Sequence, residues 1–440
     1  MGKRLSGRTA RPMTERALGP VREQPHATLS SDVTKRVLDN GLTVLVKEVY
    51  PASIVNLAIW VKVGSIHEED KEAGISHCIE HMLFKGTRKR AVGEIAKEIH
   101  GVGGYLNAFT SYDCTCYWVV LPSKYFDIAL DVEADALLNS TLDQEELEKE
   151  IRVILEEIKM YQDRPDSHCF EKLMEIAYTR HPYRRPIIGY ENVLKSVTPQ
   201  DLFDYWERFY RPGNMFVTLV GDVHGEKCVD KISRYLGSMK PGLVPLQERN
   251  REPEQRERRE ISLNGDIQKT HVQIAFHIPD ALHKDTYACQ ILAGILGEGR
   301  SARLNQSLKE KKRLVTAIDA GLFSQKEPGL FLIQAVLDDG DPNRATSGIR
   351  DEIEKLIDEG VTTDELNRAK NIVESSYVFG QETVEGLGKN LGFYEILGDY
   401  ALSDRYIEEL YKVKAEEVCK AAGKYLTDSN CSIAVYRPNR

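Results

Sequence analysis

The stretch GISHCIEHMLF, residues 74–84, places His77 and His81 four residues apart with Glu80 immediately before the second imidazole. Only 11 histidines occur in 440 residues, so the pairing stands out. On a helix, residues four apart project the same way, so His77 and His81 can present two imidazoles to one cation. Glu80 follows on nearly the same side, where a carboxylate can take a proton from water. The chemistry such a set performs is metal-assisted hydrolysis.

Two ligands do not hold a catalytic zinc; a third protein ligand and an open position are expected. The segment TLDQEELEKEIRVILEEIKMYQ, residues 141–162, predicts a long helix with Thr141 or Asp143 as cap. Acidic residues fill its first turn, and Leu147, Ile151, Ile154, Leu155 and Ile158 form an apolar stripe. At about 100° per residue, Glu150 and Glu157 lie roughly 20° apart, between Val153 on one side and Ile154 and Leu147 on the other. A carboxylate within an apolar face is costly unless paired, hydrogen-bonded or bound to metal, so both are candidates. Glu156 projects away from that stripe. The H-x-x-E-H spacing is also one of the signatures of zinc peptidases.

These residues need elements to position them. RVLDNGLTVLVKEV and SIVNLAIWVKVGS read as strands, the first entered through the turn-prone Asn40-Gly41. A helix is expected over about 71–84, and another from VGEIAKEIHGVGG that stops at Gly101 before the β-prone YLNAFTSYDCTCYWVVL. Cys114 and Cys116 then share one face of a strand as buried free thiols. Trp118, Val119 and Val120 read as core. Further helices are expected at 124–139, around 168–178 and after Thr198-Pro199, with a strand at 215–223.

Residues 238–260 are Pro-rich and then charge-rich without an apolar period, which marks a linker. The predicted organisation is a polar leader over 1–30, a first domain over 31–238, a linker over 239–260 and a second domain over 261–440. The second half repeats the grammar of the first. Strand, helix, glycines, helix, a strand pair near 314–337, helices at 343–358 and 363–379, and a last strand CSIAVYRP follow in order. The fold class expected is α+β, with two homologous domains each made of a mostly antiparallel sheet packed with helices. No glycine fingerprint or P-loop sequence occurs.

A chain of 440 residues exceeds one ordinary core. Its net charge of -9, with both signs interspersed, gives no electrostatic reason to expect a nucleic-acid partner. The apolar runs fall short of the roughly 20 residues a membrane-spanning helix needs. Eight scattered cysteines fit free thiols in a reducing compartment, and the first 30 residues lack the apolar core of an export signal. A cytoplasmic location is the expectation.

The chain resembles the pitrilysin-type zinc metallopeptidases, the M16 family with the inverted motif, and within it the short two-domain class that includes mitochondrial processing peptidase. GSIHEEDKEAGISHCIEHMLFKGT at 64–87 follows the family block, and EKEIRVILEEI at 148–158 matches its distal glutamate segment. GGYLNAFTSYDCTCY resembles the substrate-edge strand, while HPYRRPIIG and FYRPGNMFVTLVGDV match later landmarks. The resemblance implies that His77, His81 and Glu157 hold one Zn²⁺ per chain, leaving a position for water whose proton Glu80 accepts and passes to the departing amine. It makes Glu150 a supporting carboxylate that orients a ligand. Asn107 would hold substrate backbone, Ala108 would leave room for it, and Phe109 and Tyr112 would line pockets. An unfolded peptide would add to the sheet along this strand.

One departure bears on partners. Where many active relatives carry an Arg and, seven residues on, a Tyr, the segment LKEKKRLVTAI has Lys309 and Thr316. Lys309 still supplies charge to substrate, but Thr316 cannot reproduce a tyrosyl hydroxyl at that reach. The resemblance implies a clam-shell chamber formed on dimerisation, with this chain either the zinc-bearing subunit beside a metal-free homologous partner or a self-sufficient homodimer. A non-catalytic core-like subunit is the remaining reading, and the intact ligand set argues against it.

Overall fold

The computed structural model describes residues 32–51, 53–242, 251–338 and 340–439, so the expected leader lies outside the described residues. In the first half, β1 (Val33–Val37), β2 (Thr43–Glu48) and β3 (Ile54–Val61) precede helices α1 (Ile75–Leu83) and α2 (Glu94–Gly101). The hairpin of β4 (Tyr105–Thr110) and β5 (Thr115–Pro122) leads into α3 (Phe126–Asn139), α4 (Gln144–Asp163) and α5 (Pro165–Ala177). Helices α6 (Glu191–Leu194) and α7 (Pro199–Phe209) precede β6 (Met215–Gly221) and α8 (Gly225–Leu236). The sheet order is β1-β2-β6-β3-β5-β4, and only β2 and β6 run parallel.

The second half begins with β7 (Arg259–Gly265), β8 (Thr270–His277) and α9 (Lys284–Leu296), then a π-helical segment, Asn305–Lys311. Strands β9 (Ala317–Phe323) and β10 (Leu330–Leu337) follow, then α10 (Pro342–Glu359), α11 (Thr363–Phe379), α12 (Val384–Leu397), α13 (Leu402–Lys412), α14 (Ala415–Tyr425) and β11 (Cys431–Pro438). The order is β7-β11-β8-β10-β9, with β7 and β11 the parallel pair. Two α+β units with mostly antiparallel sheets are therefore present.

The halves are tied together by exchanged helices. Helix α5 of the first half packs on β7, β8 and β11, and α12 of the second half packs on β3 and β6. The two central strands carry matching sequence, Val55-Asn56-Leu57-Ala58 in β3 and Val272-Gln273-Ile274-Ala275 in β8. Each buried amide faces the visiting helix: Gln273 Nε2 donates to Asp166 O at 2.8 Å, and a Cβ on Gly388 would stand 2.3 Å from Asn56 Oδ1. Trp60 lies against α12 so closely that a Cβ on Gly392 would meet its ring at 2.1 Å.

The YLNAFTSYDCTCYWVVL run is a hairpin, not one strand. Ser111 closes its turn, accepting from Cys114 N at 3.1 Å while its own N–H donates to Cys114 O at 2.8 Å. All eight cysteines are free and seven are buried. Within the segment read as linker, Glu252 accepts the backbone N–H groups of Thr179, Arg180 and His181, Gln255 Nε2 donates to Cys431 O, and Arg259 and Glu260 open β7. Residues 243–250 lie outside the described residues. Among the described residues, no helix is long and apolar enough to cross a membrane.

Candidate metal centre

Helix α1 buries Ile75, Cys78, Ile79, Met82 and Leu83 in the core of the first half, which leaves His77, Glu80 and His81 on the opposite face toward α4 and β4. Its start is fixed by a carboxylate that sequence reasoning missed. Glu68 is buried and accepts the N–H groups of Gly74 and Ser76, both at 2.9 Å, at the positive end of the helix. Burial pushes the Glu68 carboxyl up to about 7 against the pull of those bonds. Gly74 adopts φ 100°, and a Cβ there would meet Ile188 O at 2.7 Å. Loop 181–189 is thereby seated against the start of α1, and Arg185 clamps it by donating to Asp70 Oδ1, Ser65 O and Glu68 O.

Helix α4 is capped by Asp143, whose Oδ1 accepts from Glu145 N at 2.9 Å and Glu146 N at 3.1 Å. Leu147, Glu150, Ile154 and Ile158 are buried and Glu156 is exposed. Val153, expected inside the stripe, is 44% exposed, so the apolar face is narrower than the periodicity predicts and Glu157 stands at its margin. That margin faces the histidines. Glu157 Oε2 lies 3.9 Å from His77 Nε2 and 3.7 Å from His81 Nε2, and the three ligand atoms fall within 4.8 Å of one another. Metal bonds of about 2.0–2.2 Å in a tetrahedron put ligand atoms about 3.3–3.6 Å apart, so the set is a slightly open version of a zinc site. Two imidazoles and one carboxylate also match the donors this metal takes. Burial, helped by the neighbouring His81, pushes His77 down to about 3 and keeps it neutral, the form that donates a lone pair.

Glu150 is buried one step behind the ligands. Its Oε2 lies 3.1 Å from His81 Nδ1, and its Oε1 accepts from Lys85 Nζ at 2.7 Å. A proton held on Nδ1 leaves Nε2 free to face Glu157. Glu80 accepts a 2.6 Å hydrogen bond from Thr110 Oγ1, at the end of β4. Burial raises the Glu80 carboxyl above its usual range, and the Thr110 bond draws it part of the way back. The signal for Thr110 was thin, since a threonine in a β-prone run is ordinary.

Two cavities meet at this point, sharing His77, Glu80, Ala108 and Tyr161. One, about 570 Å³, is lined by both histidines, Asn107, Glu157 and Lys85. The other, about 400 Å³, is lined by Phe109, Tyr112, Phe170, Met174 and Ile188 among others. Tyr161, absent from the sequence reading, is 51% exposed at the mouth of both. Asn107 and Ala108 lie on β4, which among the described residues pairs only with β5 and leaves a free sheet edge beside the metal ligands. Trp118, Val119 and Val120 are buried as expected.

The fold thus gathers His77, Glu80, His81, Asn107, Ala108, Glu150 and Glu157. It does not bring Lys309 to them. That residue is exposed on the π-helical segment, which packs on β9 and α10, and neither it nor Thr316 lines the two cavities. The Thr316 hydroxyl donates to Val336 O at 3.0 Å.

Comparison with known proteins places this geometry in context. Residues 43–191 match the model described as Insulinase (Peptidase family M16), and residues 196–373 match the Peptidase M16 inactive domain. An uncharacterized zinc protease of Rickettsia felis is 32% identical over 91% of this chain and 97% of its own length. One from Bacillus subtilis is 28% identical over 92% of this chain and 98% of its own. A protease from Helicobacter pylori of known crystal structure superposes with a TM-score of 0.88 at 25% identity, covering 92% of this chain and 99% of that one.

Proposed function

The chain belongs to the M16 peptidases, and from that premise we propose that it is an endopeptidase that cleaves extended segments of unfolded peptides. It is a zinc protease with one His77–His81–Glu157 site per chain. The observation that carries the endopeptidase reading is the free β4 edge running past that site, with a cavity on either side of His77 and Glu80. A zinc ion held there supplies Lewis-acid activation of the scissile carbonyl and of water. The chain does the rest. Glu80, raised by burial and held by Thr110, takes a proton from the attacking water and returns it to the departing amine. Glu150 keeps the His81 proton on Nδ1. The β4 main chain pairs with an extended peptide, and Asn107 and Ala108 flank the bond to be cut.

We further propose that the chain is the zinc-bearing subunit of a two-subunit enzyme, closing a chamber with a metal-free homologous partner. The position of Lys309 and Thr316, away from the site, supports this. Eight unpaired cysteines support a cytoplasmic location.

Glu80→Gln tests the central claim. It should retain stoichiometric zinc while peptide hydrolysis falls by about 10²–10⁴-fold. Activity that survives with verified zinc would remove Glu80 as the base. Robust turnover by the isolated wild-type chain would replace the partner with a self-sufficient homodimer.

A further inference from the structure

The duplicated fold builds its cavity twice. The metal-side cavity is walled by α1, the end of β4, α4 and α5; a second cavity of about 350 Å³ is walled by α9, the end of β9, α11 and α12, the corresponding elements of the second half, and is closed by Leu402 and Tyr406 of α13. Tyr287 and Gln290 line it from α9 with the same i, i+3 spacing as His77 and Glu80 on α1. No imidazole lines it. The Tyr406 ring sits at the centre of an aromatic wall, 5.9 Å from Tyr287, 5.3 Å from Tyr377 and 6.5 Å from Tyr394.

Two of the polar groups in this wall are acceptors placed to meet a cation. Glu298 lines the cavity and has no Lys or Arg ion-pair partner among the described residues. Its carboxyl is held above the usual range by burial and by the nearby Asp319 charge, a state that an incoming cation relieves. Asn390 Oδ1 is buried without a hydrogen-bond partner among the described residues. Aromatic faces, one carboxylate and one bare carbonyl together complement an organic cation on an apolar stem. A volume near the lower end of ligand pockets, roughly 300–1,000 Å³, suits a single side chain.

The position of the cavity says where that side chain comes from. Phe323 ends β9 with its ring 5.2 Å from Tyr112 and 6.4 Å from Phe170, both lining the metal-side cavity. The next residue, Ser324, lines the second cavity. The end of β9 therefore links the two cavities, with Phe323 against the wall of the first and Ser324 in the wall of the second.

We propose that this second cavity is a binding site for the basic side chain, Arg or Lys, of a bound peptide. The source of the cation rests on the peptidase reading above; the site itself does not. The test uses the full-length, zinc-loaded Glu80→Gln protein, in which peptides bind without turnover. An unstructured octapeptide with one arginine and the same peptide with citrulline are titrated calorimetrically, with and without Glu298→Gln, alongside free agmatine. The arginine peptide should bind at least tenfold tighter than the citrulline peptide, and Glu298→Gln should collapse that difference while the citrulline peptide is unaffected. Tyr406→Leu, with an unchanged far-ultraviolet spectrum, should do the same. Equal binding of the two peptides, or a difference that survives Glu298→Gln, overturns the proposal. Agmatine binding as tightly as the arginine peptide overturns the peptide source. Failure of hydrolysis by the wild-type enzyme would strike the peptidase reading alone, because binding here is measured without it.

Discussion

Removing Glu150 should weaken zinc binding without unfolding the chain. Its two oxygens serve different partners, Oε2 at 3.1 Å from His81 Nδ1 and Oε1 at 2.7 Å from Lys85 Nζ. Glu150→Ala removes both acceptors and frees the His81 ring to rotate or change tautomer. Glu150→Gln keeps the shape but turns an amide NH₂ toward either the imidazole N–H or the ammonium. A hydrogen bond to a charged group contributes roughly 1.5–3 kcal/mol. Partners of metal-binding imidazoles contribute about 10–100-fold in metal affinity, which is about 1.4–2.7 kcal/mol. The two estimates agree, so the alanine variant should lose about 10–100-fold and the glutamine variant about 10-fold.

The assay is competition for zinc against a chromophoric chelator, with melting of the metal-free chain as control. Lys85→Met separates the partners. Lys85 is one-third exposed, so its pair with Glu150 should matter little, and zinc affinity should change by less than about fivefold. If Glu150→Ala binds zinc as tightly as the wild type, His81 is oriented by the packing of α1 alone, and the assignment of Glu150 to the metal centre fails.

Other outcomes follow from single contacts. Thr110→Val deletes the 2.6 Å bond to Glu80, worth about 1 kcal/mol, so kcat/KM should fall about fivefold at unchanged zinc content; an unaltered rate would detach Thr110 from the reaction. Gly392→Ala puts a Cβ 2.1 Å from the Trp60 ring and should lower stability by about 1–3 kcal/mol, read as a lower urea midpoint; an unchanged midpoint would mean that α12 is not seated on the first sheet. Glu133 is fully buried with no hydrogen-bond partner for either oxygen among the described residues, and burial pushes it up to about 8. Its folded form therefore keeps a proton that the unfolded chain has released, and the stability this confers, full below about 4.5, is lost as pH rises toward 8. Glu133→Gln should flatten that decline; denaturation curves that stay parallel between about pH 5 and 8 would refute it.

What could be read from sequence follows the range over which each signal acts. His77, Glu80 and His81 share one helix, and helical geometry alone sets their mutual angles. Glu150 and Glu157 share one face of α4, but periodicity cannot tell which reaches the histidines. They differ by two turns, about 10 Å along the axis, and the crossing of α1 over α4 decides. The family resemblance made that choice, and the distances agree with it. Thr110 and Glu68 carried no local signature, because one is a strand threonine and the other reaches its helix across an intervening 3₁₀ turn, Asp70–Glu72. Helices α12 to α14 went unread for a similar reason. Gly386, Gly388 and Gly392 lower the helix propensity of α12, and the surface that stabilises it belongs to strands near the start of the chain.

That exchange changes what the metal-free half is for. Helix α4 carries Glu150 and Glu157, and after a break at Arg164 the chain passes directly into α5. Helix α5 is seated on the second sheet, where Cys169 donates to Ala434 O and Gln273 holds Asp166 O. The third metal ligand thus sits two turns before a segment anchored in the other half, while α12 returns to cover β3, the strand from which the chain leads to α1. Phe170 and Met174 of α5 also wall the cavity beside Glu80. The half without the metal ligands therefore sets the geometry of the half that has them, and a chain cut between the two would lose one helix from each sheet and part of the wall of the site itself.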